Sequence, residues 1–176
     1  FGELWGIASR TDYDLTQHQR VSGVSQAYLD PETNEKYIPY VIEPSVGVDR
    51  MFLTVLCDAY DEETLDNNET REVLHLHPYL APYKVAVLPL AKKYHSEKAH
   101  EVWKSFASKF SCSYDEAGSI GKRYRRCDAI GTPFAITIDD ETINNNTVTV
   151  RDRDTMEQVV VKLDELEDYI KERVEF

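Results

Sequence analysis

The sequence predicts an α/β fold in which a mixed sheet is flanked by helices. One observation indicates this fold, and two others indicate how the chain is divided. From residue 83 onward, strand-like apolar runs alternate with helical patterns, the order typical of a largely parallel sheet covered by helices. Residues 1–60 read as strand, loop, strand and helix, which is too little to close a core alone. Residues 61–82 are acidic and end in prolines. We therefore expect three parts, at 1–60, 61–82 and 83–176.

The first part contains two predicted strands and one predicted helix. Residues 3–8 form a short apolar-rich strand, and the polar residues 9–15 form a turn. Residues 37–42 form the second strand, and residues 43–45 end it. The near-continuous apolar run at residues 50–57 predicts a buried helix.

The second part reads as a linker that crosses the surface. Pro78 and Pro82 stand near its end, and such punctuation is typical of a boundary between domains. Its acidic residues are Asp61, Glu62, Glu63, Asp66, Glu69 and Glu72.

The third part follows the order β-α-β-α-β-β-α. Its strands are predicted at residues 84–90, 111–114, 133–138 and 147–151. The first helix aligns Ala99, Val102, Trp103, Phe106 and Phe110 at helical spacing. A basic helix begins at Ser119 and stops at Gly131, and residues 139–146 form turns. The last helix begins near Asp154 and aligns Met156, Val159, Val160, Leu163, Leu166, Ile170 and Val174. A hairpin at one edge makes the sheet mixed.

The composition is that of a globular protein, with 41% hydrophobic residues in 176. No apolar run is long enough to cross a bilayer, and the start has neither a Met nor a signal peptide, so we expect the chain to begin inside a larger protein. Three cysteines without CxxC spacing, Cys57, Cys112 and Cys127, favour a reducing cytosol over a disulfide framework or a zinc site.

The formal net charge of −12 argues against binding nucleic acid by bulk electrostatics. Any RNA contact must therefore be local. Four of the twenty basic residues fall in one short segment, at Lys122, Arg123, Arg125 and Arg126. Taken alone, such a run is more often a solvated helix face than a binding site.

A second candidate site combines two carboxylates, a hydroxyl and a guanidinium, at Glu3, Glu43, Ser45 and Arg50. Carboxylates beside a hydroxyl can hold an ammonium group or a metal ion, and an arginine can clamp phosphate. By spacing alone the structural alternative is favoured, with Glu43 capping a turn and Arg50 exposed in a first helical turn.

The literal sequence resembles the dimeric, class II type of glycyl-tRNA synthetase. Residues 3–15 (ELWGIASRTDYDL) and 41–50 (VIEPSVGVDR) resemble the last two active-site segments of that family, the second being its motif 3. Residues 121–126 (GKRYRR) and 127–134 (CDAIGTPF) resemble the anticodon-binding domain shared with histidyl-, prolyl- and threonyl-tRNA synthetases. The resemblance implies a five-stranded mixed sheet for residues 83–176 and the end of an antiparallel α+β catalytic domain for residues 1–60.

For the first site, the resemblance implies that Arg50 clamps ATP at its phosphates. It places Glu43 and Ser45 at the glycine and ATP end of the pocket, and Glu3 in an acidic wall around the glycine ammonium group. In the intact enzyme, the glycine carboxylate attacks the α-phosphate of ATP with help from Mg²⁺, and the glycyl group then passes to tRNA(Gly). The family implies a cytoplasmic homodimer and no membrane partner.

This sequence departs from the broader class II pattern at Asp49, where that motif often has a second glycine. Motifs 1 and 2 are absent. We therefore expect that this chain alone does not aminoacylate tRNA.

For the second site, the resemblance assigns anticodon binding to the basic helix and the segment around residues 150–154. Proteins read unstacked bases by stacking and by hydrogen bonds to exposed base edges. The expected residues are Arg123, Arg126, Asp128, Arg151, Asp152 and Arg153, with the two aspartates reading cytosine. In the alternative, Arg151 and Arg153 only pair with Asp152 and Asp154 in a turn.

Two other interpretations of the whole chain stay open: an RNA-binding relative that has lost catalysis, and a different synthetase of the same subclass. The intact set of Glu43, Ser45 and Arg50 favours the enzyme, and residues 3–15 favour glycine as its amino acid. His75 and His77 alternate as metal ligands can, but no third ligand stands nearby, so no metal site is expected.

Overall fold

The computed structural model describes residues 2–65 and 68–175. Asp66, one of the acidic residues of the expected linker, lies outside the described residues, as do Phe1 and Phe176. Contacts divide the chain into two compact units between Thr54 and Val55. Each unit is described on its own below.

The first unit is built on an antiparallel pair of strands, β1 (Trp5–Thr11) and β4 (Val41–Val46). Between them lie α1 (Tyr13–Ser22) and a short antiparallel pair, β2 (Tyr28–Leu29) and β3 (Lys36–Tyr37). Helix α2 (Val48–Ala59) follows and continues past the division between the units.

Three expectations for this region were wrong. Most of the turn expected at residues 9–15 is the end of β1 and the start of α1, a polar helix without any buried residue and therefore without an apolar stripe to reveal it. Strand β4 continues through Pro44, which is tolerated because this strand pairs on one side only among the described residues. Helix α2 exists, but Phe52 is 66% exposed, and no described side chain before Ala59 is buried.

The segment expected as a surface linker forms a hairpin that packs on the second unit's core. Strands β5 (Tyr60–Thr64) and β6 (Thr70–Leu74) are antiparallel, with Glu63 opposite Arg71. Arg71 and Val73 point inward and are buried, while the acidic neighbours of β6 face solvent. This period-two alternation is a strand pattern that the high charge of the segment obscures.

The second unit contains the five-stranded mixed sheet that the family resemblance implies. Its elements are β7 (Val85–Pro89), α3 (Lys92–Ala107), β8 (Cys112–Tyr114), α4 (Ile120–Ala129), β9 (Phe134–Ile138), α5 (Asp140–Asn145), β10 (Thr147–Asp152), β11 (Gln158–Lys162) and α6 (Leu166–Val174). The strand order is β11-β10-β9-β7-β8. Strands β8, β7 and β9 are parallel, and β10 and β11 are antiparallel to their neighbours.

Two details differ from the expected order. The turns expected at residues 139–146 contain α5, whose first turn is fixed by a capping box between Asp139 and Thr142. The first half of the expected last helix is the strand β11, because three consecutive valines at 159–161 favour an extended backbone. Only the second half is helical.

The core lies on both faces of this sheet. On one face, Val85, Val87 and Ile136 pack with side chains of α3 and α6. On the other face, Ala86 and Leu88 pack against Cys127 of α4. Alternate residues of β7 therefore pack into the core on opposite faces of the sheet, which explains why the whole strand is buried. Helix α4 covers the second face, and strand β6 of the hairpin packs against this helix.

Helix α4 ends at Ala129, and Gly131 follows two residues later against the end of the hairpin. This glycine has a φ of 77°, and a Cβ at its position would lie 3.1 Å from the carbonyl oxygen of Leu74 and 3.0 Å from Leu76 Cδ1. Both the backbone conformation and the close approach require glycine here. The stop signal expected at Gly131 is confirmed, two residues beyond the helix end.

Candidate functional sites

The first candidate site is a shallow cavity in the first unit. Its volume is about 290 Å³, and its lining includes Glu3, Ser45, Gly47 and Arg50. Arg50 Nη1 donates a hydrogen bond to the backbone carbonyl of Glu3. Three of the four residues expected at a substrate pocket therefore lie together.

Gly6 permits this arrangement. It lies opposite Ser45 in the β1–β4 register. A Cβ at Gly6 would lie 2.7 Å from Glu3 Oε1 and 3.1 Å from Ser45 Oγ. The missing side chain thus leaves room for the carboxylate and the hydroxyl to approach each other, a role that the sequence analysis did not assign.

The fourth residue, Glu43, is held by an arginine that the sequence analysis missed. Glu43 lies two residues before Ser45 on β4, so both side chains project from the same face of the strand. Its carboxylate is 3.2 Å from Arg10 Nε. Arg10 also donates two hydrogen bonds to Asp14, which lower the pKa of that carboxyl. Glu43 and Asp14 therefore share one guanidinium, and none of these three residues lines the cavity.

The second candidate site is the outer face of α4. Ile120, Tyr124 and Cys127 face the sheet. Lys122, Arg125 and Arg126 lie three and four residues apart on the other side, where they form one cationic strip. Lys122 and Arg126 are exposed. The guanidinium of Arg126 donates to Asp115 Oδ2 at 2.8 Å and to the carbonyl of Ala117 at 2.6 Å, which fixes its direction.

Four of the six residues expected to read RNA are instead buried. Asp128 has no exposed surface, and Arg123, Arg151 and Arg153 are almost fully covered. They hold the fold together: Arg123 donates to the carbonyls of Pro89 and Leu90 at the end of β7. Its Nε is buried without a hydrogen-bond partner among the described residues.

Arg153 forms the local ion pair with Asp154 that the alternative interpretation expects, whereas Arg151 does not pair locally. Arg153 Nε donates to the Asp154 carboxylate at 2.8 Å, as expected for a local turn pair, and its Nη1 donates to the carbonyl of Gly131 at 2.9 Å. Arg151 turns away from the local acids and binds Asp128 of α4. The carboxylate of Asp152 accepts from the backbone of the following turn and lies partly exposed.

Buried in this way, Arg123, Asp128, Arg151 and Arg153 present no side chain to an RNA base. Contact with a base would require each to leave its present partners. Sequence reasoning missed their burial because charged residues are almost never fully buried unless paired, and the pairs here join positions far apart in the chain. Arg126 is the one expected arginine that remains on the surface.

The hairpin also brings together three groups of the kind that bind metals. Atoms of Asp61, Glu63 and His75 lie within 4.8 Å of one another, the one such group among residues 2–65 and 68–175. His75 Nε2 is 3.0 Å from Glu63 Oε1, and its Nδ1 is 2.6 Å from Asp154 Oδ1. Burial raises the pKa of Asp154, but hydrogen bonds from Arg153 and His75 outweigh it and lower that pKa. Asp61 and Glu63 lie on β5, more than ten residues before His75, so they are not recognisable in the sequence as further ligands.

The second unit is an α/β domain with a mixed sheet and a helix that carries exposed cations. A family model described as the anticodon binding domain matches residues 84–173, more than half of the chain, and the chain therefore belongs to that family. A solved structure of the RNA binding domain of threonyl-tRNA synthetase from Cryptosporidium parvum Iowa II shares the fold, with a TM-score of 0.64, 22% identity and coverage of 84% of this chain and 34% of that chain.

At the level of sequence, the chain is similar to glycine–tRNA ligases along its whole length. It is 62% identical to that of Clostridium kluyveri and 61% identical to that of Clostridium tetani, in each case over all 176 residues. The ligase of Geobacillus kaustophilus is 58% identical over the same span. The chain spans 38% of the length of these relatives. Among the described residues, no helix has the length and apolar character to cross a membrane.

Proposed function

We propose that this chain is the C-terminal portion of a glycine–tRNA ligase and that its second unit binds the anticodon of tRNA(Gly). The observation that carries the proposal is the identity of 57–62% with glycine–tRNA ligases across the chain, which includes both candidate sites. The intact ligase would activate glycine with ATP and Mg²⁺ and then esterify tRNA(Gly).

The first unit would supply one wall of the active site. Arg50 beside the Glu3 carbonyl supports a phosphate clamp, since a guanidinium that lines a cavity offers further donors to an anion. Glu3, Glu43 and Ser45 would bind the glycine ammonium group. Glycine has no side chain to recognise, so selectivity must come from gripping its charged ends in a small polar pocket. The joint presence of Glu3, Ser45 and Arg50 at one cavity favours the enzyme over a relative that has lost catalysis.

In the second unit, we propose that RNA contacts the exposed residues of α4 rather than its buried ones. Lys122 and Arg126 can neutralise phosphates on a chain whose net charge is otherwise negative. Asp152 is the expected cytosine reader that retains exposed surface. Arg123, Asp128, Arg151 and Arg153 would act as the support that holds these groups in place.

The domain assignment follows as part of this proposal. Residues 1–60 would belong to the catalytic domain and residues 83–176 to the anticodon-binding domain, with the hairpin in residues 61–82 attached to the latter. A homodimeric intact enzyme in the cytoplasm is part of the same proposal; three free cysteines agree with a reducing compartment.

The experiment compares binding of this chain, at one fixed salt concentration, to tRNA(Gly) and to the same tRNA with its two shared anticodon cytosines replaced. A clear loss of affinity on replacement is expected. Lys122→Gln and Arg126→Gln should weaken binding and reduce its dependence on salt, because each removes one phosphate contact. The matched control is Lys162→Gln, an exposed lysine on β11. Equal binding to both tRNAs, or none, would refute the anticodon-reading role.

A further inference from the structure

Arg71 connects the hairpin to the core of the second unit. It lies on β6, outside the residues that the anticodon binding family model matches, and its side chain is fully buried. Its Nε donates to Asp128 Oδ2 at 2.9 Å, and its Nη1 donates to Glu63 Oε2 at 2.6 Å. Its Nη2 donates to the backbone carbonyl of Arg153. One guanidinium therefore joins α4, strand β5 and the turn after β10.

Asp128 is the point where this network meets α4. It lies in the last turn of the helix and accepts from Arg71 on one side and from Arg151 on the other. Arg151 in turn lies over the ring of Tyr124, with its guanidinium carbon 4.9 Å from the ring centroid. The direction of the C-terminal half of α4 is thus fixed by two cations from different parts of the sheet and hairpin.

The hairpin also contacts the exposed side of α4. Arg125 donates to the carbonyl of Thr70 at 3.2 Å and to the Glu69 carboxylate at 3.2 Å. Between these contacts, the hairpin and α4 border a groove of about 460 Å³. Residues 70 and 71 are consecutive on β6, so a shift of this strand would move a buried anchor and a surface anchor of α4 together.

We propose that Arg71 is a positioning residue for the RNA-binding surface. Through Asp128 it sets the orientation of α4, and with it the cationic strip of Lys122, Arg125 and Arg126. This inference rests on the proposed RNA-binding function. Recognition sites tolerate only small displacements, so an anchor behind the helix affects affinity without touching RNA.

The first test compares Arg71→Met with Val73→Ala in the whole chain. Val73 is fully buried two residues along the same strand, so its truncation destabilises the hairpin without touching Asp128. Affinity for tRNA(Gly) is measured well below the unfolding temperature of each variant. We expect about a tenfold loss for Arg71→Met and little change for Val73→Ala. Arg71→Lys keeps a charge for Asp128 and should recover part of the affinity. Equal losses for Arg71→Met and Val73→Ala, or no loss for Arg71→Met, would overturn the proposal.

The second test needs no RNA and so separates this inference from the proposed function. Amide hydrogen exchange of residues 120–129 should accelerate in Arg71→Met but not in Val73→Ala. If Arg71→Met does not fold, Arg71→Gln replaces it, because its amide keeps a polar group in the buried site but removes the charge that binds Asp128. Unchanged exchange along α4 in the folded variant would refute positioning by Arg71. Failure of the wild-type chain to bind tRNA would refute the proposed function alone.

Discussion

Asp128 and Arg151 form a buried bidentate ion pair between α4 and β10, with distances of 2.8 Å from Nη1 to Oδ1 and 3.1 Å from Nη2 to Oδ2. Neither side chain of the pair is more than 8% exposed. A carboxylate and a guanidinium matched in this geometry satisfy each other's hydrogen bonds. The pair connects α4 to the sheet. It also holds Asp128 in place, and Asp128 is the carboxylate to which Arg71 donates.

Replacing Asp128 with asparagine should strongly destabilise the second unit. The substitution removes the negative charge but leaves Arg71 and Arg151 buried, and an uncompensated buried charge costs about 3–5 kcal/mol. Urea unfolding followed by circular dichroism measures the change. The matched control is Asp164→Asn on the surface, which should change the free energy of unfolding by less than about 0.5 kcal/mol. Similar values for the two variants would contradict the buried network.

Truncation of Ile136 tests the position of the core. This residue of β9 is fully buried, and Ile136→Ala should lower the free energy of unfolding by about 2–5 kcal/mol through lost burial and a residual cavity. Ile143→Ala makes the same chemical change on α5, where the side chain is 51% exposed, and should have only a small effect. If both variants unfold at the same denaturant concentration, the assignment of the core is incorrect.

Protonation of Glu116 in acid should lower the free energy of unfolding. Hydrogen bonds from Lys92, Tyr114 and Ser96 lower its pKa to about 2 from the ordinary value of 4.5. The folded state binds this proton less readily than the unfolded state, so the stabilisation is fully present above pH 4.5 and is lost as the pH falls toward 2. Titration of the side-chain carboxyl by NMR gives the pKa directly, and Lys92→Met should raise it. Glu116→Gln should flatten the pH dependence of stability in this interval, whereas the exposed control Glu157→Gln should not.

The three cysteines should differ in reactivity. Burial raises the pKa values of the Cys112 and Cys127 thiols to about 12, and the thiolate is the nucleophile. Cys57 is exposed on α2. Ellman's reagent at pH 8 should therefore modify one thiol rapidly in the native chain, and Cys57→Ser should abolish this phase. Three equally fast thiols in the native state would rule out the burial of the other two.

Hydrogen exchange should distinguish the two units. Among residues 2–58 no side chain is buried, whereas β7 and its neighbour β9 in the second unit are buried along their whole length. Backbone amides of β1 and β4 should therefore exchange faster than those of β7 and β9, because local opening exposes little apolar surface there. Equal protection in the two strand pairs would show that the first unit is a stable domain by itself.

Strands β7 and β9 of the second unit could be predicted because each is a continuous run of mostly apolar side chains. Residues 84–90 and 133–138 needed no tertiary information, since both faces of each strand are buried. Helices α1 and α5 could not be found in this way. Both are short and mostly polar, and capping or neighbouring structure stabilises them more than an apolar face does.

The candidate sites also differ in whether local sequence or contacts between distant residues determine them. The grouping of Glu3, Ser45 and Arg50 was predicted because the residues stand in two recognisable motifs, one that leads into β1 and one that joins β4 to α2. The burial of Asp128 was not, because it depends on Arg71, 57 residues away in the sequence. Charge and helical spacing alone do not tell an arginine that faces water from one that is paired beneath the surface.

The ion pair between Arg71 and Asp128 also has a consequence for how this sequence can diverge. Both side chains are fully buried, and Asp128 also pairs with Arg151, so three charges from the hairpin, α4 and β10 compensate one another. We expect positions 71, 128 and 151 to covary among relatives, because loss of the carboxylate at 128 would leave Arg151 buried without an acidic partner. The hairpin and helix α4 would thus be inherited as one unit.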